Sequence, residues 1–217
     1  LTASATEEVK KDIINQLNME DPKVFQNSYL RSNLSFVVIK GENKLQKVFE
    51  ILNKVAGSSI IYVRSRKRAE RVAKDLNQQG IFAQFYHAGL SHNERNERQA
   101  EWTHSKSRVM VATNAFGMGI NKPDVRTVLH LDLPQTLEAY YQEAGRAGRD
   151  GLKAYAILFF HEQDIIETKK RIFQAAVDIK FIKRVYQALL NKYKLAIGSG
   201  AGLSFDFTYF DFTDDFD

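Results

Sequence analysis

The strongest constraint on the fold is a regular alternation between short apolar runs and segments of helical periodicity. Six apolar runs occupy residues 34–39, 59–63, 82–86, 108–112, 127–131 and 154–160. Several of them are unbroken, which is typical of strands buried on both faces. Helical spacing marks the segments between them, at residues 43–56, 67–79, 91–102 and 136–144. This succession predicts an α/β domain of three layers, with a mainly parallel sheet between helices.

Helices are also predicted on either side of this unit. Residues 7–19 form one predicted helix, with Thr6 as its N-cap and Pro22 as its end. Residues 162–193 predict a C-terminal helical extension of two helices, separated near Asp178. Three glycines then mark a boundary, and the aromatic residues that follow alternate with Asp and Thr. We expect this end to begin a further module, and the chain, which starts without Met, to be a fragment.

Composition narrows the class of protein. The chain has no Cys, which excludes disulfides, thiolate zinc sites and a catalytic thiol. No apolar run approaches the roughly 18 residues of a membrane span, so we expect a cytoplasmic protein without a membrane partner. The net charge is +5, yet residues 200–217 hold five acids and no Lys or Arg. The remaining residues carry 31 basic and 21 acidic side chains, a net of +10. This excess favours a polyanionic partner, although a solvated surface explains it equally well.

The most specific motif is YYQEAGRAGRDG, at residues 140–151, in which glycines bracket Arg146 and Arg149. If a helix ends near residue 145, both arginines project from its last turn and the loop after it. Two guanidinium groups suit a triphosphate, because each offers a planar fork and stays charged. In phosphoryl transfer such an arginine stabilises charge on the transferring group. A surface pair of arginines at a loop is the alternative interpretation.

Polar or glycine-rich loops follow three other predicted strands. They contain Arg64, Ser65 and Arg66 after the second run, His87 and Gly89 after the third, and Thr113 and Asn114 after the fourth. Ligands bind at the carboxyl ends of strands in open α/β sheets, and such loops can hold a phosphate of a nucleic-acid strand. Glycines kept for packing and a structural histidine remain the alternatives. The segment SHNE at residues 91–94 predicts a capping box.

The chain lacks the parts that begin an ATP site. It has no GxxxxGK[ST] phosphate loop, and no acidic motif at a strand end that would hold Mg²⁺. The arginines can therefore complete an ATP site but cannot start one.

These motifs together resemble a known family. They are SAT (4–6), YVRSR (62–66), YHAGL (86–90), ATNAFGMGINKPDVR (112–126) and QEAGRAGRDG (142–151). In order and spacing they resemble the second half of a RecQ-family DNA helicase, of helicase superfamily two, from residue 1 to about residue 160. The phrase FGMGINKPDVR favours RecQ over the RNA-acting DEAD-box relatives.

The resemblance implies a domain organisation. Residues 1–24 would be the end of a first RecA-like lobe and its linker, with Ser4 and Thr6 in a coupling motif. Residues 25–160 would be the second RecA-like lobe, of the P-loop NTPase type. Residues 161–197 would form the helical extension, and residues 198–217 the truncated start of a further module.

The resemblance also implies site residues. The catalytic group would be Arg149, as arginine finger, with Arg146 and Gln142. The ATP-binding group would be Gly119, Asn121 and Asp124. The single-strand DNA track would be lined by Arg64, Ser65, Arg66, His87, Gly89, Thr113 and Asn114. ATP and Mg²⁺ would be bound mainly by the first lobe of the same parent protein. The parent would unwind DNA in the 3′-to-5′ direction, in repair and recombination, in the cytoplasm, and at the nucleoid if bacterial.

Some features depart from the family. RecQ proteins usually continue into a four-Cys zinc module, but residues 160–193 contain no Cys, so we expect no zinc and no metal in this chain. Without a phosphate loop, this chain alone is expected to hydrolyse no ATP. Two alternatives stay open: a non-catalytic module that binds nucleic acid or docks on a motor protein, and a lobe of an RNA helicase.

Overall fold

A computed structural model of the 217-residue chain describes residues 6–25, 31–117, 120–175 and 178–206. The chain divides into two compact units, Leu1–Asp164 and Ile165–Asp217. Each unit is described by itself below. Within the described residues, no helix is long and apolar enough to cross a membrane.

The first unit is built on a six-stranded sheet in which every paired strand is parallel. The strands are β1 (Leu34–Lys40), β2 (Ser58–Tyr62), β3 (Ala83–Tyr86), β4 (Val109–Ala112), β5 (Val125–His130) and β6 (Ala154–Phe160), in the order β1-β6-β5-β2-β4-β3. The helices are α1 (Glu7–Gln16), α2 (Lys44–Lys54), α3 (Arg66–Gln78), α4 (His92–Thr103) and α5 (Leu137–Ala144). Each apolar run of the sequence has become a strand, within a few residues of its predicted bounds.

Two apolar cores lie on opposite faces of this sheet. Along β2, Ile61 packs with side chains of α2 and α3, whereas Ile60 packs with Trp102 of α4 and Ala144 of α5. Successive side chains of a strand point to opposite faces, so a strand between two cores needs apolar residues at every position. This explains the unbroken runs, and it confirms the three-layer, RecA-like α/β fold.

Helix ends follow local capping chemistry, with one correction. Ser91 and Glu94 form the predicted capping box at the start of α4. Helix α1, however, does not extend to Pro22: it ends at Gln16, and Asn18 follows with φ 47°. The chain leaves the helix through a left-handed residue, which asparagine tolerates better than most residues, so Pro22 does not end it.

Two helices account for most of the second unit. They are α6 (Glu162–Ala175), which starts just before the border, and α7 (Ile179–Lys192). The predicted break between them is confirmed, since Asp178 caps α7 by accepting a hydrogen bond from the Lys180 N–H. Tyr193 then stacks on Phe205 with ring centres 4.3 Å apart. The expected module at residues 198–217 is described only as far as residue 206, and its role stays a prediction.

Candidate nucleotide and nucleic-acid site

The order of the strands brings the predicted DNA-binding loops to one place. Strands β2, β4 and β3 are neighbours in the sheet, and all three run in the same direction. The loops that follow them therefore leave the sheet side by side at its carboxyl edge. They carry Arg64, Ser65, Arg66, His87, Gly89, Thr113 and Asn114.

The β2 and β3 loops contact each other through an arginine and a glycine. A Cβ atom on Gly89 would lie 2.9 Å from Nη1 of Arg66, so a side chain there would displace the guanidinium group. Ser65 is the N-cap of α3, and its hydroxyl accepts a hydrogen bond of 3.2 Å from the Arg68 N–H. Both Ser65 and Arg66 are exposed.

His87 is buried, unlike Ser65 and Arg66 at the same edge of the sheet. Its ring is buried and stacks on Phe85, with centres 5.6 Å apart. Its Nε2 lies 2.9 Å from a carboxylate oxygen of Glu70 on α3. This geometry fits a residue that positions the β3 loop against α3, and a contact of the ring with DNA stays a prediction.

At the end of β4, Thr113 is buried and Asn114 is exposed. The Thr113 N–H donates to the carbonyl of Tyr86, 3.1 Å away, which joins this loop to the end of β3. Asn114 lines a small cavity of about 80 Å³ together with Arg64 and Asp132.

Asp132 is the residue of this edge that sequence reasoning missed. It follows β5, the other neighbour of β2. One of its carboxylate oxygens accepts from the Arg64 N–H at 2.8 Å, and the other pairs with the guanidinium of Arg68. The sequence signal was an acidic residue directly after the apolar run at residues 127–131, which we had interpreted only as a strand.

The two motif arginines lie in the loop that follows α5, and both bond to the long connection between β4 and β5. Arg146 donates to the carbonyl of Gly117, and Arg149 to the carbonyl of Ile120 (2.8 Å) and Oδ1 of Asn121 (3.1 Å). Neither arginine forms an ion pair with a carboxylate in the described part of the chain. Burial lowers the pKa of Arg149, and the positive charge of Arg146 lowers it further. The pair therefore holds unneutralised positive charge.

Residues just before β1 hold the arginine loop in place. Arg31 donates hydrogen bonds to the carbonyls of Gly145 (3.1 Å) and Ala147 (2.9 Å), and Asn33 donates one to that of Gly148 (2.7 Å). These hydrogen bonds tie carbonyls at and just beyond the C-cap of α5 to the segment before β1, and they thereby fix the loop.

A buried aromatic and ionic network connects β2, β5, α5 and the β4–β5 connection. The Tyr62 hydroxyl donates to the carbonyl of Phe116 at 2.9 Å, and its ring stacks on His130. His130 in turn pairs with Glu143 of α5 at 2.8 Å. Burial raises the pKa of Tyr62, so the hydroxyl stays a donor over the whole working pH range.

The predicted ATP-binding residue Asp124 lies at the opposite edge of the sheet from Asn114. Its carboxylate accepts from the hydroxyl of Ser58, where β2 begins, at 3.3 Å, and pairs with Lys122 at 3.2 Å. These contacts give the Asp124 carboxylate a structural role, and its part in ATP binding stays a prediction.

The remaining predicted residues are less informative. Gln142 is exposed on α5, and Thr6 caps α1 by accepting from the Val9 N–H at 3.3 Å. Ser4 and Gly119 lie outside the described residues. No group of three or more metal-ligating side chains occurs in the parts of the chain that the structure describes.

Comparison with known proteins bears on the family and the fold of the chain. Residues 43–151 match the family model "Helicase conserved C-terminal domain". The chain is 43% identical over 176 residues to the ATP-dependent DNA helicase RecQ of Bacillus subtilis, covering 81% of this chain and 30% of that protein. It is 42% identical over 175 residues to the RecQ-like DNA helicase blm-1 of Caenorhabditis elegans, covering 79% of this chain and 18% of that protein. The chain thus spans less than a third of these relatives.

Among solved structures, Dbp5 of S. cerevisiae bound to RNA and ADP BeF3 matches with a TM-score of 0.63 and 24% identity. The match covers 82% of this chain and 48% of that chain, and it establishes the fold. The fold and the arginine loop thus define one RecA-like lobe. The chain belongs to the helicase conserved C-terminal domain family, and over most of its length it is similar in sequence to RecQ helicases.

Proposed function

We propose that this chain is the C-terminal motor lobe of an ATP-dependent DNA helicase of the RecQ type, which unwinds DNA in the 3′-to-5′ direction. The observation that carries the proposal is the arginine pair, Arg146 and Arg149, which has no carboxylate partner in the described structure. The same assignment gives two partners, namely DNA in repair and recombination and the first lobe of the same parent protein. It also gives a location in the cytoplasm, at the nucleoid if the protein is bacterial.

The arginine pair fits the phosphates of ATP bound by another lobe. Within the described residues the two guanidinium groups donate to carbonyls and an amide and pair with no carboxylate, so they keep positive charge for a polyanion. Arg31 and Asn33 would hold their loop rigid, so that Arg149 could meet the transferring phosphoryl group without reorganisation. ATP, when bound, supplies the phosphoryl group whose negative charge this pair would stabilise, and Asn121 beside Arg149 would contact the same nucleotide.

Mg²⁺ bound with ATP needs only one or two carboxylates besides the phosphates and water, and the phosphates themselves would be held mainly by the first lobe. We therefore assign Mg²⁺ to the first lobe.

The β4–β5 connection would couple the two ends of the site. It starts at Thr113 and Asn114 on the proposed DNA-facing edge, and further along it the carbonyls of Gly117 and Ile120 accept hydrogen bonds from Arg146 and Arg149. Tyr62 fixes its middle through Phe116. A shift of the arginines during ATP turnover would thus displace the strand-binding end. Binding would read the DNA backbone and weaken steeply with salt.

The first test is the mass of the natural gene product, measured by blotting source-cell extract with an antibody to this domain. A band above about twice the mass of this chain is expected, because a second lobe alone adds roughly 150–200 residues. A band near 24.9 kDa would instead favour a non-catalytic module that binds nucleic acid.

The second test is Arg149→Ala in that full-length product. We expect ATP turnover to be lost while DNA binding is retained, whereas Lys106→Ala, a change at an exposed turn, leaves both intact. Binding to single-stranded DNA and RNA of equal length addresses the RNA-helicase alternative: equal or tighter RNA binding would favour it.

A further inference from the structure

The outer face of α3 carries a row of positive charge. Lys67, Arg71 and Lys74 are exposed and lie at the spacing i, i+4, i+7, which places them on one side of a helix. The opposite side of the helix is buried in the core through Ala69, Val72, Ala73 and Leu76. We call Lys67, Arg71 and Lys74 the basic stripe.

The charges of the basic stripe are not neutralised. None of the three side chains has a hydrogen bond or an ion pair within the described residues. Other cations of the first unit do have acidic partners: Arg68 pairs with Asp132 and Lys44 with Asp164.

The acids near the basic stripe do not compensate it. The carboxylate of Glu70 on the same helix contacts the ring of His87. Asp75 lines the groove beside α3 together with Lys67 and Arg71, but it forms no ion pair with either within the described residues. Because no carboxylate lies within ion-pair distance of the three cations in the described residues, their donors are available to an external polyanion.

The basic stripe continues the proposed strand-binding edge. It begins directly after Ser65 and Arg66 at the end of β2, and it extends for about 10 Å at 1.5 Å per residue. Proteins that hold single strands stack bases on aromatic side chains, but α3 contains no aromatic residue, and the face of the basic stripe carries Lys67, Arg71, Lys74 and Gln78 with Asp75 beside them. It offers contacts to phosphates and no aromatic ring on which bases could stack, which suits a backbone whose bases are paired and turned away.

We propose that the basic stripe binds the sugar–phosphate backbone of a DNA duplex that adjoins the single strand held by the strand-end loops. The inference rests on the proposed function, since it assumes that those loops hold the single strand. It assigns the duplex arm of a forked or overhang substrate to α3 of this lobe.

The test compares Lys67→Gln/Arg71→Gln/Lys74→Gln with a matched control, Lys54→Gln/Lys106→Gln/Lys153→Gln, in the 217-residue chain. The probes are a fluorescent duplex with a 3′ single-stranded overhang, and the overhang strand alone. Affinities are measured over a range of salt concentrations, and far-ultraviolet circular dichroism and melting temperature show whether each variant is folded.

We expect the stripe variant to lose at least about fivefold in affinity for the overhang duplex, and less than about twofold for the single strand. Each phosphate contact contributes about 0.9 to the slope of log K against log salt, so the slope for the overhang duplex falls by about 2.7. The control variant keeps the wild-type affinity and slope for both probes.

Three results would overturn the inference. The stripe and control variants could weaken duplex binding equally. The stripe variant could also lose affinity for both probes equally, which would make the stripe part of the single-strand path. The stripe variant could also keep the wild-type affinity for the overhang duplex. A wild-type chain that binds no single strand would contradict the proposed function itself. The failure of the proposed function can therefore be told apart from the failure of the duplex assignment.

Discussion

Two glycines beside the arginine loop differ in what an added methyl group would meet. At Gly117 a Cβ atom would lie 2.5 Å from the end of the flexible Arg146 side chain. At Gly148, where φ is +61°, it would lie 2.8 Å from the Cβ of Ala154 and 2.9 Å from the carbonyl oxygen of Leu152. The Arg146 side chain beside Gly117 can move away. The atoms beside Gly148 belong to the backbone and to a buried alanine, which cannot.

We therefore expect Gly117→Ala to displace the Arg146 guanidinium without unfolding the domain. In the full-length protein its DNA-stimulated ATP turnover falls about tenfold or more, which corresponds to about 1.4 kcal/mol of activation free energy. Its melting temperature stays near that of wild type. Gly148→Ala should instead lower the free energy of unfolding by about 1–3 kcal/mol. A Gly117→Ala variant with normal turnover would show that the Arg146 position is unimportant.

Asp150 offers a prediction about pH. A hydrogen bond from the Arg126 guanidinium, together with the N–H of Leu152, lowers the pKa of the Asp150 carboxyl. The folded state therefore binds fewer protons at this site than the unfolded state, whose pKa is about 3.9. The stabilisation is present above that pKa and is lost as pH falls through the folded pKa.

The matching experiment is thermal unfolding of wild type and Asp150→Asn between pH 7 and pH 3. We expect the variant to melt lower at pH 7, and the difference in melting temperature to narrow as the pH falls below about 4. Glu50→Gln, which changes an exposed acid of α2, should melt like wild type at pH 7. A gap of constant size across the range would mean that the charge of Asp150 is irrelevant to stability.

At the scale of elements, the capping box of α4 is the feature that local sequence defines most clearly. The Ser91 hydroxyl accepts from the Glu94 N–H at 3.3 Å, and the Glu94 carboxylate accepts from the Ser91 N–H at 2.9 Å. Ser91→Ala should lower the free energy of unfolding by about 1 kcal/mol, measured by chemical denaturation. Asn93→Ala, an exposed change in the same turn, should cost much less, and equal costs would contradict the capping role.

Element bounds were predictable wherever the signal was local. The strands of the sheet and the break at Asp178 follow from periodicity and capping residues, which involve neighbours in sequence. The end of α1 was not predictable in this way. Pro22 gave a plain stop signal, but the helix had already ended at Gln16 because Asn18 adopts a left-handed conformation.

At the scale of the whole molecule, the incomplete ATP site leads to a prediction about this chain alone. The sequence has no phosphate loop, and the described residues hold no metal cluster. We expect the purified chain to show no ATP turnover above background, with or without single-stranded DNA. DNA-stimulated turnover by a clean preparation would contradict the assignment of the missing parts to another lobe.

The sequence by itself determined the α/β class, the resemblance to RecQ helicases and the position of the arginine motif. Each of these depends on residue types at short spacings, and hydrophobic periodicity reports burial directly. Motifs in register also identified candidate residues, but not their surroundings.

Only the tertiary structure decided which loops meet. It placed β4 between β2 and β3, buried His87 against Glu70, and brought Asp132 to Arg64 and Arg68. Arg31 reaches carbonyls more than a hundred residues away in sequence. Such contacts depend on the order of strands in the sheet, which is set by the packing of all elements together and leaves no local pattern in the sequence.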